Sequence, residues 1–160
     1  MPSRNTSMKP NRKDDMSNTT VETTALVVRR TMPYAPQVLF RAFSDPEVMN
    51  RWFHGGKGWS VEASNDFRVG KDFTVNMRPD KGEVHPHTGT YKEIVPDEKI
   101  VFTWNSAHAK NSVVTLLFRK VTDGTELILT HEFLAEDMIQ PHVGGWNDCL
   151  DSLEATLKAA

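Results

Sequence analysis

Residues 112–133, SVVTLLFRKVTDGTELILTHEF, decide the fold. Val114, Leu116 and Phe118 alternate with Thr115, Leu117 and Arg119, and Leu127, Leu129 and His131 repeat the pattern beyond Gly124. A period of two puts each apolar set on one face of a strand. Asp123-Gly124 between the two runs is a short-hairpin signal, so the strands are expected to be antiparallel neighbours.

The same alternation extends upstream through residues 59–63, 73–77, 88–95 and 100–105, which with 112–121 and 125–133 make six expected strands. The links are turn-like: Val69-Gly70-Lys71 and Pro96-Asp97-Glu98-Lys99. Residues 21–32, with Ala25, Leu26, Val27 and Val28, read as an earlier strand ended by Pro33 and Pro36. Leu39, Phe40 and Phe43 then recur at helical spacing, and Ser44-Asp45-Pro46 breaks that helix and starts a second short one. Downstream of the hairpin the period changes again. From Pro141, Val143, Trp146, Cys149, Leu150, Leu153 and Leu157 share one helical face, while Asn147, Asp148, Asp151, Glu154 and Lys158 cover the other. Gly144 and Gly145 weaken the first turn by roughly 1 kcal/mol each relative to Ala. Strands in a block with helices set apart define an α+β domain.

Residues 1 to about 20 are rich in Ser, Thr, Asn, Lys and Asp without an apolar period, so they are read as a disordered arm before a single domain over 21–160. The formal net charge of −2, with scattered Lys and Arg, gives no footprint for nucleic acid. No run approaches the roughly 20 apolar residues of a membrane span, and no secretory signal is evident, so a cytoplasmic location is expected. The lone Cys149 has no disulfide partner.

Several segments, in order, resemble the START-like helix-grip fold of the SRPBCC superfamily. Within it they are most similar to the group related to the C-terminal domain of the Hsp-90 ATPase activator. They are PQVLFRAFSDP at 36–46, RWF at 51–53, GTYKEIVP at 89–96 and KIVFTW at 99–104. GTEL at 124–127, THE at 130–132 and HVGGW at 142–146 complete the set. The resemblance runs from about residue 22 to 159. It implies a seven-stranded antiparallel sheet wrapped around the long C-terminal helix, two short helices after the first strand, and a cavity between sheet and helix. Relatives of this kind include binders of hydrophobic small molecules, aromatic-polyketide cyclases, self-sacrificing resistance proteins and co-chaperone domains, so fold alone does not settle the chemistry.

With the concave face inward, strand parity turns Phe73, Val75 and Met77, Gly89 and Tyr91, Phe102 and Trp104, Val114, Leu116 and Phe118, and Leu127, Leu129, His131 and Phe133 toward the helix. Trp52 and Phe53 close one end, and Trp146, Cys149, Leu150 and Leu153 face them. Two readings follow. These side chains either fill a core, or Trp52, Phe53, Met77, Tyr91, Trp104, Leu116, His131, Phe133, Trp146, Cys149, Leu150 and Leu153 line a site for a hydrophobic or aromatic ligand. His131 is the one candidate acid–base residue, with Tyr91 as its potential partner, against the alternative of a buried histidine satisfied structurally. Cys149 lies on an apolar helical face and reads as a small buried hydrophobe. His85 and His87 would share a strand face, but Pro86 between them argues for a loop or strand start, and no carboxylate has ligand spacing with them. No metal or other cofactor is therefore expected. Asp66 and Arg68 read as a local hairpin ion pair.

Three functions follow in order of support. The first is a non-catalytic binder of a hydrophobic small molecule. The second is a cyclase- or hydrolase-type enzyme on an aromatic, polyketide-like substrate. The third is a co-chaperone-like domain, for which an arm of about 20 residues does not replace a folded partner domain. A homodimer is compatible with the resemblance, though no exposed apolar stripe demands it.

Overall fold

The computed structural model describes residues 18–21 and 24–160. The reading of residues 1–17 as an arm lies outside the described residues. The strands are β1 (Asn18–Val21), β2 (Leu26–Met32), β3 (Ser60–Asn65), β4 (Asp72–Arg78), β5 (His85–Val95), β6 (Lys99–Ser106), β7 (Ala109–Val121) and β8 (Gly124–Glu132). Helices α1 (Pro36–Ser44) and α2 (Pro46–Trp52) lie between β2 and β3, and α3 (Ile139–Ala159) follows a 3-10 turn at Glu136–Met138. The sheet order is β1-β2-β8-β7-β6-β5-β4-β3, every pair antiparallel.

This is the expected α+β helix-grip architecture, with eight strands rather than seven. The extra one is β1, which takes residues 18–20 out of the expected arm and pairs Asn18 with Arg29 and Val21 with Leu26. The edge of β2 offered unpaired backbone groups, and the β-branched Thr19, Thr20 and Val21 suit the strand that pairs with them.

The decisive hairpin is present but turns one residue earlier than its Asp-Gly pair suggests. Val121 pairs with Gly124, so Thr122 and Asp123 form the loop, and Asp123 carries the left-handed φ of 66°. Gly124 is required for space instead, because a Cβ there would overlap the Met32 carbonyl oxygen.

Between the two short helices, Asp45 accepts the Glu47 N–H at 2.9 Å and caps α2, with Pro46 at its first position. That bond and the neighbouring Arg41 hold the Asp45 carboxyl below its usual range. The cap fixes α2 so that Trp52 is buried and donates its indole N–H to the Ala42 carbonyl at 3.0 Å.

The inward parities hold for Phe73, Val75, Met77, Tyr91, Phe102, Trp104, Val114, Leu116, Phe118, Leu127, Leu129 and His131, all buried. Trp146, Cys149, Leu150 and Leu153 meet them from α3. Each large side chain buried this way contributes about 1.5–3 kcal/mol. Phe133 departs from the pattern. β8 ends at Glu132, Phe133 takes a φ of 64°, and its side chain turns out to be 66% exposed.

The polar face of α3 is not simply solvated. Arg30 of β2 donates to Asp151 at 2.6 Å, Glu154 at 2.9 Å and Asn147 at 2.8 Å. These three acceptors lie at i, i+4 and i+7 on the helix, so one guanidinium clasps two turns of it to the sheet. Asp151 and Glu154 are largely open to water, which limits each pair to about 0–1 kcal/mol. Arg30→Met is therefore expected to cost about 1–3 kcal/mol in urea unfolding, with the difference shrinking at high salt. A variant matching the parent in both respects would remove the clasp from the account.

Candidate functional site

A cavity of about 590 Å³ opens at the end of the sheet where the loop after α2, the start of β5, the β6–β7 connection and the first turns of α3 converge. That volume suits a ligand of a few fused or linked rings. Four side chains expected from sequence border it: Met77, Trp104, Trp146 and Cys149. The α3 residues reach it because His142, Gly145, Trp146 and Cys149 fall at i, i+3, i+4 and i+7, one stripe of the helix. Trp59, His85, His87 and His108 also line it.

The aromatic floor is held by stacking. Phe53 lies parallel to Trp52 at 4.6 Å and to Trp104 at 5.9 Å, and Trp104 meets Trp146 at 5.2 Å. Phe53 thus supports the floor from behind. His87 stacks on Trp104 at 4.7 Å, and His85 on Trp59 at 5.8 Å. The strand does begin early enough to carry both histidines, since β5 starts at His85 and Pro86 pairs opposite Asn76 near its end. Among the described residues no three His, Cys, Asp or Glu side chains are grouped to hold a metal ion.

The remaining sequence candidates sit away from the opening. Leu116, Leu150 and Leu153 are fully buried core, and Phe133 faces water. Tyr91 packs among Phe67, Phe73 and Phe102, and its hydroxyl accepts from Asn65 at 3.0 Å. Burial pushes that phenol up to about 12.

His131 lies behind Trp146, fully buried. The Trp146 indole N–H donates to its Nδ1 at 2.9 Å, and its Nε2 is 2.8 Å from Ser112 Oγ. An indole nitrogen only donates, so Nδ1 must be the acceptor and Nε2 carries the proton. Nε2–H then donates to Ser112, whose hydroxyl donates onward to the Trp104 carbonyl at 2.6 Å. The chain Trp146–His131–Ser112–Trp104 is closed, with every member satisfied and His131 neutral. Burial, with His142 nearby, drives the His131 pKa down to about 3. His131 and Tyr91 share no hydrogen bond. The Cys149 thiol, pushed up to about 12 by burial and the adjacent Asp148, stays protonated at neutral pH.

Ser112, His142 and Gly145 are among the site residues that the sequence did not nominate. Ser112 stood at the inward parity of its strand beside His131, and His142 and Gly145 stood at helical spacing from Trp146 and Cys149. Those spacings were the available signal. Asp66 and Arg68 do form the expected ion pair, bidentate at 2.8 and 2.6 Å.

The fold and cavity together define a helix-grip domain with an aromatic-floored pocket beside its C-terminal helix. The profile of the family described as Activator of Hsp90 ATPase homolog 1-like protein matches residues 33–158, and the chain belongs to that family. It is similar in structure to a protein from Chromobacterium violaceum (23% identity, 84% of this chain and 96% of that one, TM-score 0.77). It is also similar to one from Rhizobium leguminosarum (26% identity, 89% and 99%, TM-score 0.74). A third similar structure is an AHSA1-like protein from Aeromonas hydrophila (20% identity, 84% and 92%, TM-score 0.73). No match is found among curated protein sequences. Among the described residues no helix is long and apolar enough to cross a membrane.

Proposed function

We propose that the domain binds a hydrophobic or aromatic small molecule in the cavity between β5, β6 and the first turns of α3. The observation that carries this reading is the space itself: about 590 Å³ floored by Met77, Trp104 and Trp146. The side chains that the sequence nominates for catalysis, or as a nucleophile, are otherwise engaged. His131 has both ring nitrogens committed, Tyr91 is tied to Asn65, and Cys149 is held as a thiol. Using His131 as a general base would require breaking the hydrogen bond from Trp146, so binding is favoured over turnover.

Gly145 offers a test that separates binding from folding. It borders the cavity on a helix, and a Cβ there meets nothing within 4 Å. Gly145→Leu should occupy the pocket while improving helix propensity by about 0.5–1 kcal/mol. The neutral probe N-phenyl-1-naphthylamine is expected to gain fluorescence with the parent protein and quench its tryptophans. The variant should melt no lower and bind at least about 10-fold more weakly. Undiminished uptake by a folded Gly145→Leu chain would place binding elsewhere.

A further inference from the structure

The polar rim of the cavity has a fixed sense. His87 Nδ1 lies 3.1 Å from the Val75 carbonyl oxygen, and His142 Nδ1 lies 2.8 Å from that of Met138. A carbonyl oxygen only accepts, so in both rings Nδ1 carries the proton. The neutral ring then has a bare lone pair at Nε2. Among the described residues neither Nε2 has a hydrogen-bond partner, and neither is among the buried polar atoms left without one, so both are open to the cavity that these residues border. The rings are also held in place, His87 by its stack on Trp104 and His142 by its edge contact with His131 at 5.1 Å.

Other rim groups sharpen the preference. Among the described residues Glu83 is the one carboxylate bordering the cavity, and no Lys or Arg borders it. A bound carboxylate would meet two lone pairs and a like charge with no fixed cation to offset its desolvation. Burial keeps both rings neutral at physiological pH, lowering His87 to about 4 and His142 below the ordinary histidine value.

We infer that the cavity selects ligands whose apolar, ring-sized body carries a neutral hydrogen-bond donor, a phenolic or alcoholic hydroxyl or an amide N–H, received by Nε2 of His87 or of His142, and that it discriminates against carboxylates. This specificity rests on the small-molecule reading above and goes beyond it by fixing the chemistry of the polar end.

Three probes with one ring body test it: 2-naphthol, its methyl ether 2-methoxynaphthalene, and 2-naphthoate, each titrated by tryptophan quenching at neutral pH. One net hydrogen bond predicts that naphthol binds about 3- to 10-fold tighter than the ether, with naphthoate weakest. His87→Asn and His142→Asn keep a side-chain N–H for the backbone carbonyl but remove Nε2. Each should stay folded by its melting curve, and together they should abolish naphthol's advantage over the ether. Equal binding of naphthol and ether, or tightest binding of naphthoate, overturns the donor assignment and leaves the cavity reading standing. Failure of all three probes to bind overturns both.

Discussion

Gly89→Ala is expected to leave no cooperatively folded protein, or one weakened by more than about 4 kcal/mol. Gly89 is buried in β5 opposite Phe73 of β4, with β6 on its other side. A Cβ at this position would overlap the Thr103 carbonyl oxygen and the Phe73 ring together. The two cannot yield in compensating directions. Thr103 is backbone of the neighbouring strand, and the adjacent Thr90 N–H donates to Thr103 Oγ1 at 2.9 Å, tying the strands at that spacing. Phe73 is enclosed by Tyr91, Phe102 and Trp104, so moving its ring disturbs the cluster that supports the cavity floor. Overpacking an ordinary core position costs about 1–3 kcal/mol because something soft relaxes, and here the nearest atom is main chain. Gly144→Ala is the control. A Cβ there meets nothing within 4 Å, and the helix should gain about 0.5–1 kcal/mol. Urea unfolding followed by circular dichroism reads both. A Gly89→Ala chain within about 1 kcal/mol of the parent would show that the strands can separate locally and that this close approach is not structural.

These two glycines also show where sequence reading succeeds and where it stops. Alternation and helical spacing are local signals, and they placed nearly every core residue on its correct face, from Phe73 to His131 and from Trp146 to Leu153. They failed at Phe133 because parity presumes that the strand continues, whereas a left-handed residue just past Glu132 reverses the side chain. They missed β1 because its short run, Asn18–Val21, has one apolar residue, Val21, and so no alternation to read. The site was less legible than the core for a related reason. A cavity is a mismatch between facing volumes, and no single strand encodes it. Met77, Trp104, Trp146 and Cys149 could be nominated as inward, but so could Leu116 and Leu153, which the packing fills completely. The histidine rim depends on backbone carbonyls of Val75 and Met138, partners to which side-chain patterning gives no access.

Replacing His131 should test the closed relay as a structural unit. His131→Ala removes a fully buried ring and leaves the Trp146 N–H without its acceptor and the Ser112 hydroxyl without its donor. Lost packing and an orphaned buried donor together predict a loss of about 3–5 kcal/mol. Ser112→Ala removes only the acceptor for Nε2–H and should cost about 1–3 kcal/mol. The pH dependence has a definite sign. His131 is held to about 3 in the folded chain against an ordinary value near 6.5. Between those limits the unfolded chain binds the extra proton, so stability rises with pH there. The protein is expected to keep its full stability above about pH 6.5 and to lose it progressively toward pH 3, at up to about 1.4 kcal/mol per pH unit for each such histidine. His87, lowered to about 4 by burial, adds to the loss over the upper part of that window. His131→Gln retains a donor and an acceptor but cannot titrate. Its unfolding free energy between pH 6 and pH 4 should fall by about one proton's slope less than the parent's. Parallel profiles would mean that His131 takes up its proton in the folded state, and that Trp146 can surrender its hydrogen bond at little cost. In that case the ring regains the freedom an acid–base role requires, and the preference for binding over catalysis loses its main support.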